Sequence, residues 1–291
     1  MLHAPPITKG DTATALLCRR SLASMQHITG PMDLSIVIPV RNEAGNIAPL
    51  VAEIDVALRG EMRYEIIYVD DGSSDETVGE IRRLAAERPS LRLLRHSWSC
   101  GQSAALLTGV RAAQSGWIAT LDGDGQNDPA DIPRLWRLAR AAPADPPLLV
   151  AGWREKRHDS WSKRAASLIA NRVRSQILGD ATADTGCGLK LFPRTLFLEL
   201  PPFDHMHRFL PALVLRAGGT VRSVPVNHRP RRSGTSKYGV FDRLGVGIVD
   251  LFGVWWLQRR VIRAQPGGEA TLAADAGGAA TPTRDLVSGI G

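Results

Sequence analysis

Apolar and polar positions alternate in two rhythms along the first half of the chain. The runs DLSIVIPV (33–40) and YEIIYVDD (64–71) are short, unbroken and bounded by polar turns, which predicts buried strands. Between them, residues 43–59 place Ile47, Leu50, Val51, Ile54 and Leu58 at helical spacing. Ser73 and Glu76 have capping-box spacing for a helix running to about Glu87. A strand at 91–95, a helix at 101–113 and the strand WIATLD (117–122) follow. Asp128-Pro129 with Asp131 starts another helix, to about Arg140, because proline at the first turn withholds a donor that has no partner there. PLLVAGWR (147–154) supplies a further strand. This alternation predicts an α/β fold, a Rossmann-like and mostly parallel sheet with helices on both faces. Ligands of such sheets gather at the carboxyl ends of strands, where Asp70, Asp71, Asp122 and Asp124 fall.

The second half reads less regularly. Trp161, Ala165, Ile169, Val173 and Ile177 make one stripe of a helix at 160–178, with Lys163, Arg164, Arg172 and Arg174 on its other faces. A helix at 204–217 and a strand at 221–230 are expected next. The run LGVGIVDLFGVWWLQ (244–258) is apolar apart from Asp250 and is shorter than the ~20 residues of a spanning helix. It predicts an amphipathic helix lying on a membrane, or packed on the core or a partner. Arg259, Arg260 and Arg263 after it suit anionic headgroups. Residues 1–31 lack a secretory pattern and are expected to be a flexible extension. The core domain is expected at 32–240, an associated segment at 241–263 and a disordered Ala/Gly/Thr-rich tail at 264–291.

With 291 residues, 44% of them apolar, the chain can build a real core. The formal charge of +7 is uneven: residues 153–174 hold seven Lys/Arg against two acids, and 222–243 hold six against one. Such patches suit phosphates or an anionic surface. No nucleic-acid recognition motif accompanies them, and nucleic acid is not expected as a partner. Cys18, Cys100 and Cys187 are too scattered for a disulfide framework or a zinc motif.

The ordered set VIPVRNEAGNI, YVDDGSSDET, GQSAALLTGVRAA, LDGDGQNDP, DTGCGLKLF and HRPRRSGTSKYG resembles family-2 glycosyltransferases of the GT-A fold. It is most similar to their polyprenyl-phosphate branch, which includes dolichyl-phosphate mannose synthases and bacterial undecaprenyl-phosphate sugar transferases. The resemblance covers about residues 32–240. It implies transfer of a sugar from a UDP- or GDP-sugar to a polyprenyl phosphate, by single displacement with anomeric inversion. It also implies a peripheral enzyme on the cytoplasmic face of the inner membrane, with a membrane protein or a second copy as candidate partner. A hydroxyl acceptor on a polysaccharide or glycolipid, and a nucleotide-binding scaffold, are the alternatives.

The same resemblance assigns residues. Asp122, Asp124 and Gln126 would hold Mg²⁺ or Mn²⁺, a hard cation that takes up charge on a leaving diphosphate. Pro39, Arg41, Glu43, Asp71 and Gln102 would surround the nucleotide, with Asp71 on the base. Ser99 stands where the family pattern has asparagine. Asp184 would approach the reaction centre, aligning a phosphate acceptor or acting as base toward an alcohol. Arg154, Arg157, Lys163, Arg164 and Ser167 would gather phosphate oxygens, as would Arg229, Arg232, Ser236 and Lys237 of the late basic loop. His228 reads as a local hydrogen-bonding residue and Cys187 as a packed thiol.

Overall fold

The computed structural model describes residues 32–154, 174–180, 182, 184–231 and 240–260. Strands β1 (Leu34–Val40), β2 (Tyr64–Asp70), β3 (Leu91–Arg95) and β4 (Trp117–Thr120) are linked by helices α1 (Ala44–Leu58), α2 (Thr77–Glu87) and α3 (Gln102–Ala112). A 3-10 turn at Pro129–Asp131 leads into α4 (Ile132–Ala141) and β5 (Leu148–Arg154). Then come β6 (Lys190–Pro193), α5 (Arg194–Glu199), a 3-10 turn at Met206–Arg208, α6 (Leu210–Arg216), β7 (Thr220–Val226) and α7 (Val240–Gln258).

All seven strands join one sheet in the order β3-β2-β1-β4-β6-β5-β7. The parallel expectation holds for β1 to β4 and for β5 with β7. Strand β6 runs antiparallel to both β4 and β5, which makes the sheet mixed. The period-2 pleat sorts β1 between two cores. Leu34, Ile36, Ile38 and Val40 pack with α1, α2 and α4 on one face. Val37 packs on the other with Ile67, Val69, Leu106, Leu213 and Val254. Each such side chain contributes about 1.5–3 kcal/mol on burial.

Two local expectations change. Glu76 precedes α2 without a side-chain cap, because the Ser73 hydroxyl accepts from the Asn42 amide instead. Asp75 takes over, accepting from the Thr77 amide at 3.0 Å. The expected helix at 204–217 is broken into the 3-10 turn and α6, with His205 left-handed at φ 62°. Of the expected helix at 160–178, only its helical end at 174–178 falls among the described residues. The expected extension at 1–31 and tail at 264–291 lie outside them.

Helix α7 is apolar on two sides. Val254 is buried, and Leu251, Trp255 and Leu257 pack against the core beside α6. Ile248, Val249, Phe252 and Trp256 are exposed. Among the described residues, no helix is long and apolar enough to cross a membrane.

Candidate active site

The carboxyl ends of β1, β2 and β4 open into a cleft of about 530 Å³. Pro39, Arg41, Glu43, Asp71, Gln102, Asp122, Asp124 and Arg154 all line it. Each lies on or just beyond a strand end or, for Gln102, at the first turn of α3. Lys163, Arg164, Ser167, Arg157, Arg232, Ser236 and Lys237 lie outside the described residues.

Beyond β4 the chain turns through Asp122 and Asp124, with Gly125 left-handed at φ 72°. The Gln102 side-chain amide donates to Asp122 Oδ1 at 3.0 Å. Arg231 Nη2 donates to Asp124 Oδ2 at 2.7 Å. Desolvation and then the charge of Asp124 push the Asp122 carboxyl up to about 6, against the pull of Lys190 and Arg154. Gly188 makes the approach of the neighbouring loop possible, since a Cβ there would collide with the Asp122 carboxylate.

Gln126 is placed differently from its expected neighbours and does not line the cleft. Its side-chain amide donates to the Arg229 carbonyl at 3.3 Å, and its own carbonyl accepts from the Arg229 amide at 3.0 Å. Arg229 is likewise occupied: Nη2 donates to Glu53 at 2.6 Å and to the carbonyls of Gly125 and Asn127 at 3.2 and 3.0 Å. The end of β7 thus braces the acidic turn from behind.

Asp70 and Asp71 divide their work. Asp70 is fully buried and accepts from the Ser73 amide at 3.2 Å. Asp71 accepts four hydrogen bonds: from His96 Nδ1 at 2.8 Å, Ser99 Oγ at 2.7 Å, and the amides of Cys100 and Gly101 at 2.7 and 3.0 Å. Burial works against its charge, but His96, the Cys100 amide, Ser99 and the Gly101 amide together hold the carboxyl below its ordinary range. Ser99 also accepts from Arg41 Nη1 at 3.0 Å, so the serine ties Arg41 to Asp71. Gly72 is required in this turn, at φ 73° and with a Cβ position 2.8 Å from the Ser99 nitrogen.

Asp184 is bound by Arg154 through Nε at 2.6 Å and Nη2 at 3.0 Å. Burial works against the Arg154 charge, but the hydrogen bond and charge of Asp184 outweigh it and keep the guanidinium cationic. Sequence reasoning missed four cleft residues: Lys190, His207, Arg208 and Arg231. Lys190 is buried and donates to the carbonyls of Thr185 and Cys187, pinning the loop before β6. Burial lowers its pKa, against the pull of nearby Cys187, Asp122 and Asp184. His207 Nδ1 lies 2.8 Å from Ser103 Oγ. Burial, reinforced by the charges of Lys190, Arg208 and His205, lowers His207 to about 3, so its imidazole is neutral at physiological pH. The run HMHR (205–208) was the signal available for two of the four.

Residues 35–200 match the family model for glycosyl transferase family 2. The chain belongs to that family. This glycosyltransferase is 35% identical over 241 residues to the dodecaprenyl-phosphate galacturonate synthase of Rhizobium johnstonii, covering 81% of the chain and 70% of that protein. It is 35% identical over 219 residues to an undecaprenyl-phosphate 4-deoxy-4-formamido-L-arabinose transferase of Edwardsiella ictaluri, covering 73% of the chain and 65% of the relative. Among solved structures, the glucosyl-3-phosphoglycerate synthase of Mycobacterium tuberculosis, in complex with Mg²⁺ and UDP, aligns with a TM-score of 0.57 at 19% identity over 88% of this chain and 85% of that one. A mannosyltransferase of Pyrobaculum calidifontis, in complex with GDP-mannose and Mn²⁺, aligns at 0.58 and 19% over 87% and 74%. These two establish a shared GT-A-like fold.

The acidic turn of this glycosyltransferase fits a hard divalent cation. Two carboxylates open onto the cleft, and burial together with the charge of Asp124 raises Asp122. Carboxylate oxygen is the ligand that Mg²⁺ and Mn²⁺ select.

Proposed function

We propose that this glycosyltransferase moves a sugar from a nucleotide-sugar to a polyprenyl phosphate, with the nucleotide diphosphate in the cleft at the ends of β1, β2 and β4. The observation that carries the reading is the acidic turn, where Asp122 and Asp124 both line the cleft and burial with the Asp124 charge raises the Asp122 carboxyl. Both would hold Mg²⁺ or Mn²⁺, which when bound takes up negative charge on the departing diphosphate. Gln126 would support their turn through Arg229 rather than face the cleft. Arg41, Gln102 and Glu43 would orient the nucleotide, while Asp71 would shape that wall through the turn it holds. Arg231 would exchange Asp124 for phosphate oxygens as donor enters, with Arg208 also lining the cleft. Lys163, Arg164, Ser167, Arg232 and Lys237 keep their proposed role as phosphate-gathering groups.

Asp184 favours a phosphate acceptor over a hydroxyl. An alcohol needs a base, and this carboxylate is already held by both arms of the Arg154 fork. A lipid phosphate arrives anionic, so alignment and charge stabilisation are enough. The acceptor lies in a bilayer, and the exposed Ile248, Val249, Phe252 and Trp256 of α7 would rest on that surface. Loss of vesicle flotation in a Val249→Asp/Phe252→Asp variant is expected, and unchanged flotation would remove α7 from the contact.

The reaction is tested with the full-length protein, undecaprenyl phosphate, Mn²⁺ and a panel of UDP- and GDP-sugars, by mass spectrometry of the lipid fraction. A mild-acid-labile lipid-phosphate-sugar that vanishes with EDTA is expected. A stable glycoside formed on an alcohol acceptor instead would overturn the phosphate assignment.

A further inference from the structure

The wall of the cleft beyond β2 holds a second ligand set of a different chemical character. Asp71, His96 and Cys100 each present one ligand atom, a carboxylate oxygen, an imidazole nitrogen and a thiol sulfur, and these atoms all lie within 4.8 Å of one another. Oxygen, nitrogen and sulfur together are ligands of a borderline-soft ion rather than of Mg²⁺. The geometry points to a Zn²⁺ site at Asp71, His96 and Cys100, separate from the acidic turn at Asp122 and Asp124 and reached from the surface through Cys100.

The hydrogen-bond pattern shows how the ion would be taken up. The Asp71 carboxylate can only accept, so His96 Nδ1 carries the proton of their 2.8 Å contact. His96 Nε2 lies 3.0 Å from Thr108 Oγ1. Zn²⁺ replaces the Nδ1 proton between imidazole and carboxylate, and that proton is carried instead on Nε2, which then donates to Thr108. Cys100 loses its thiol proton to solvent and binds as thiolate, so one proton is released per ion and the carboxylate and thiolate balance the charge. Thr108 is thereby the outer partner that fixes the tautomer, an arrangement common around metal-bound imidazoles. The amides of Cys100 and Gly101 and the hydroxyl of Ser99 go on holding Asp71, so the carboxylate is already positioned. Burial is graded from buried Asp71 through half-buried His96 to exposed Cys100, which leaves an entry path. Three protein ligands leave one position for water.

The test is a Zn²⁺ titration of the tag-free full-length chain against a chromophoric chelator, in the Asp124→Asn background so that the acidic turn does not compete. One equivalent is expected to bind. Cys100→Ser and His96→Gln are expected to weaken it at least about 100-fold, and Thr108→Val about 10-fold. Cys18→Ser should leave it unchanged. Cys100 is exposed, so Cys100→Ser is expected to keep the parent's thermal transition, which separates lost ligation from lost fold. Co²⁺ in place of Zn²⁺ should show a thiolate charge-transfer band that Cys100→Ser abolishes. Parent-like Zn²⁺ affinity in both Cys100→Ser and His96→Gln, or no binding by the parent, would overturn the site.

Discussion

Two acidic strand ends face the same cleft, and the protein treats their charge in opposite ways. Beyond β2, Asp71 receives four hydrogen bonds from its own chain, and its carboxyl sits below the ordinary range. Beyond β4, Asp122 has the Gln102 amide on one oxygen, but burial and then the charge of Asp124 raise its carboxyl to about 6. The donors around Asp71 position its carboxylate and fix the turn that it holds. Burial and a like charge raise Asp122 instead, and a divalent cation arriving with the substrate would offset both. The sequences DDG and DGD look alike, so the difference lies in what the fold brings to each.

Substitutions at the two ends should therefore separate activity from stability. The largest effect is expected from Asp124→Asn, with turnover down at least about 100-fold. Its stability should stay within about 1 kcal/mol of the parent, because the partly exposed pair with Arg231 adds little. Asp71→Asn reverses the pattern. It removes the charge that four donors address and should cost about 2–4 kcal/mol in chemical denaturation. Equal stability losses in the two variants would erase the distinction.

Gly188→Ala tests the crowding around Asp122 without touching a carboxylate. Its methyl group would collide with that side chain, and a loss of about 1–3 kcal/mol together with weaker Mn²⁺ binding is expected. The smallest effect is a pH dependence of opposite sign at the two ends. Asp122 rises from 3.8 to about 6, so the folded metal-free chain holds that proton more tightly than the unfolded one. Its stability should fall as pH rises through this window, and Mn²⁺ affinity should weaken below about pH 6 by up to about tenfold per unit. Asp71 is lowered, so its stabilisation is present above 3.8 and lost as pH falls further. Denaturation and Mn²⁺ titrations at several pH values measure both, and Asp122→Asn should remove only the first dependence.

Much of this was readable from local pattern. The buried runs of β1, β2 and β4 are continuous in the sequence, and a carboxylate just past such a run must sit at a strand end. What escaped depends on distant chain segments. Lys190 begins a four-residue strand whose place between β4 and β5 is set by long-range pairing with Thr120 and Ala151. Nothing near it in sequence announces a buried ammonium at the cleft. The family resemblance set Gln126 beside Asp122 and Asp124, and the Arg229 carbonyl, 103 residues on, accepts from its side-chain amide. Ser73 had the spacing of a cap, but Asn42 of the β1–α1 loop takes its hydroxyl. The role of Ser99 was likewise hidden, since its partners Arg41 and Asp71 come from two other strand ends.

The most direct test of the central claim is Mn²⁺ binding to the full-length protein, followed by electron paramagnetic resonance in the parent, Asp71→Asn, Asp122→Asn and Asp124→Asn. The account predicts one Mn²⁺ in the parent, strengthened by added nucleoside diphosphate, and its loss in Asp122→Asn and Asp124→Asn. Folded Asp71→Asn should retain it. Undiminished Mn²⁺ binding in Asp124→Asn would contradict the assignment of the acidic turn as the metal-holding part of the active site.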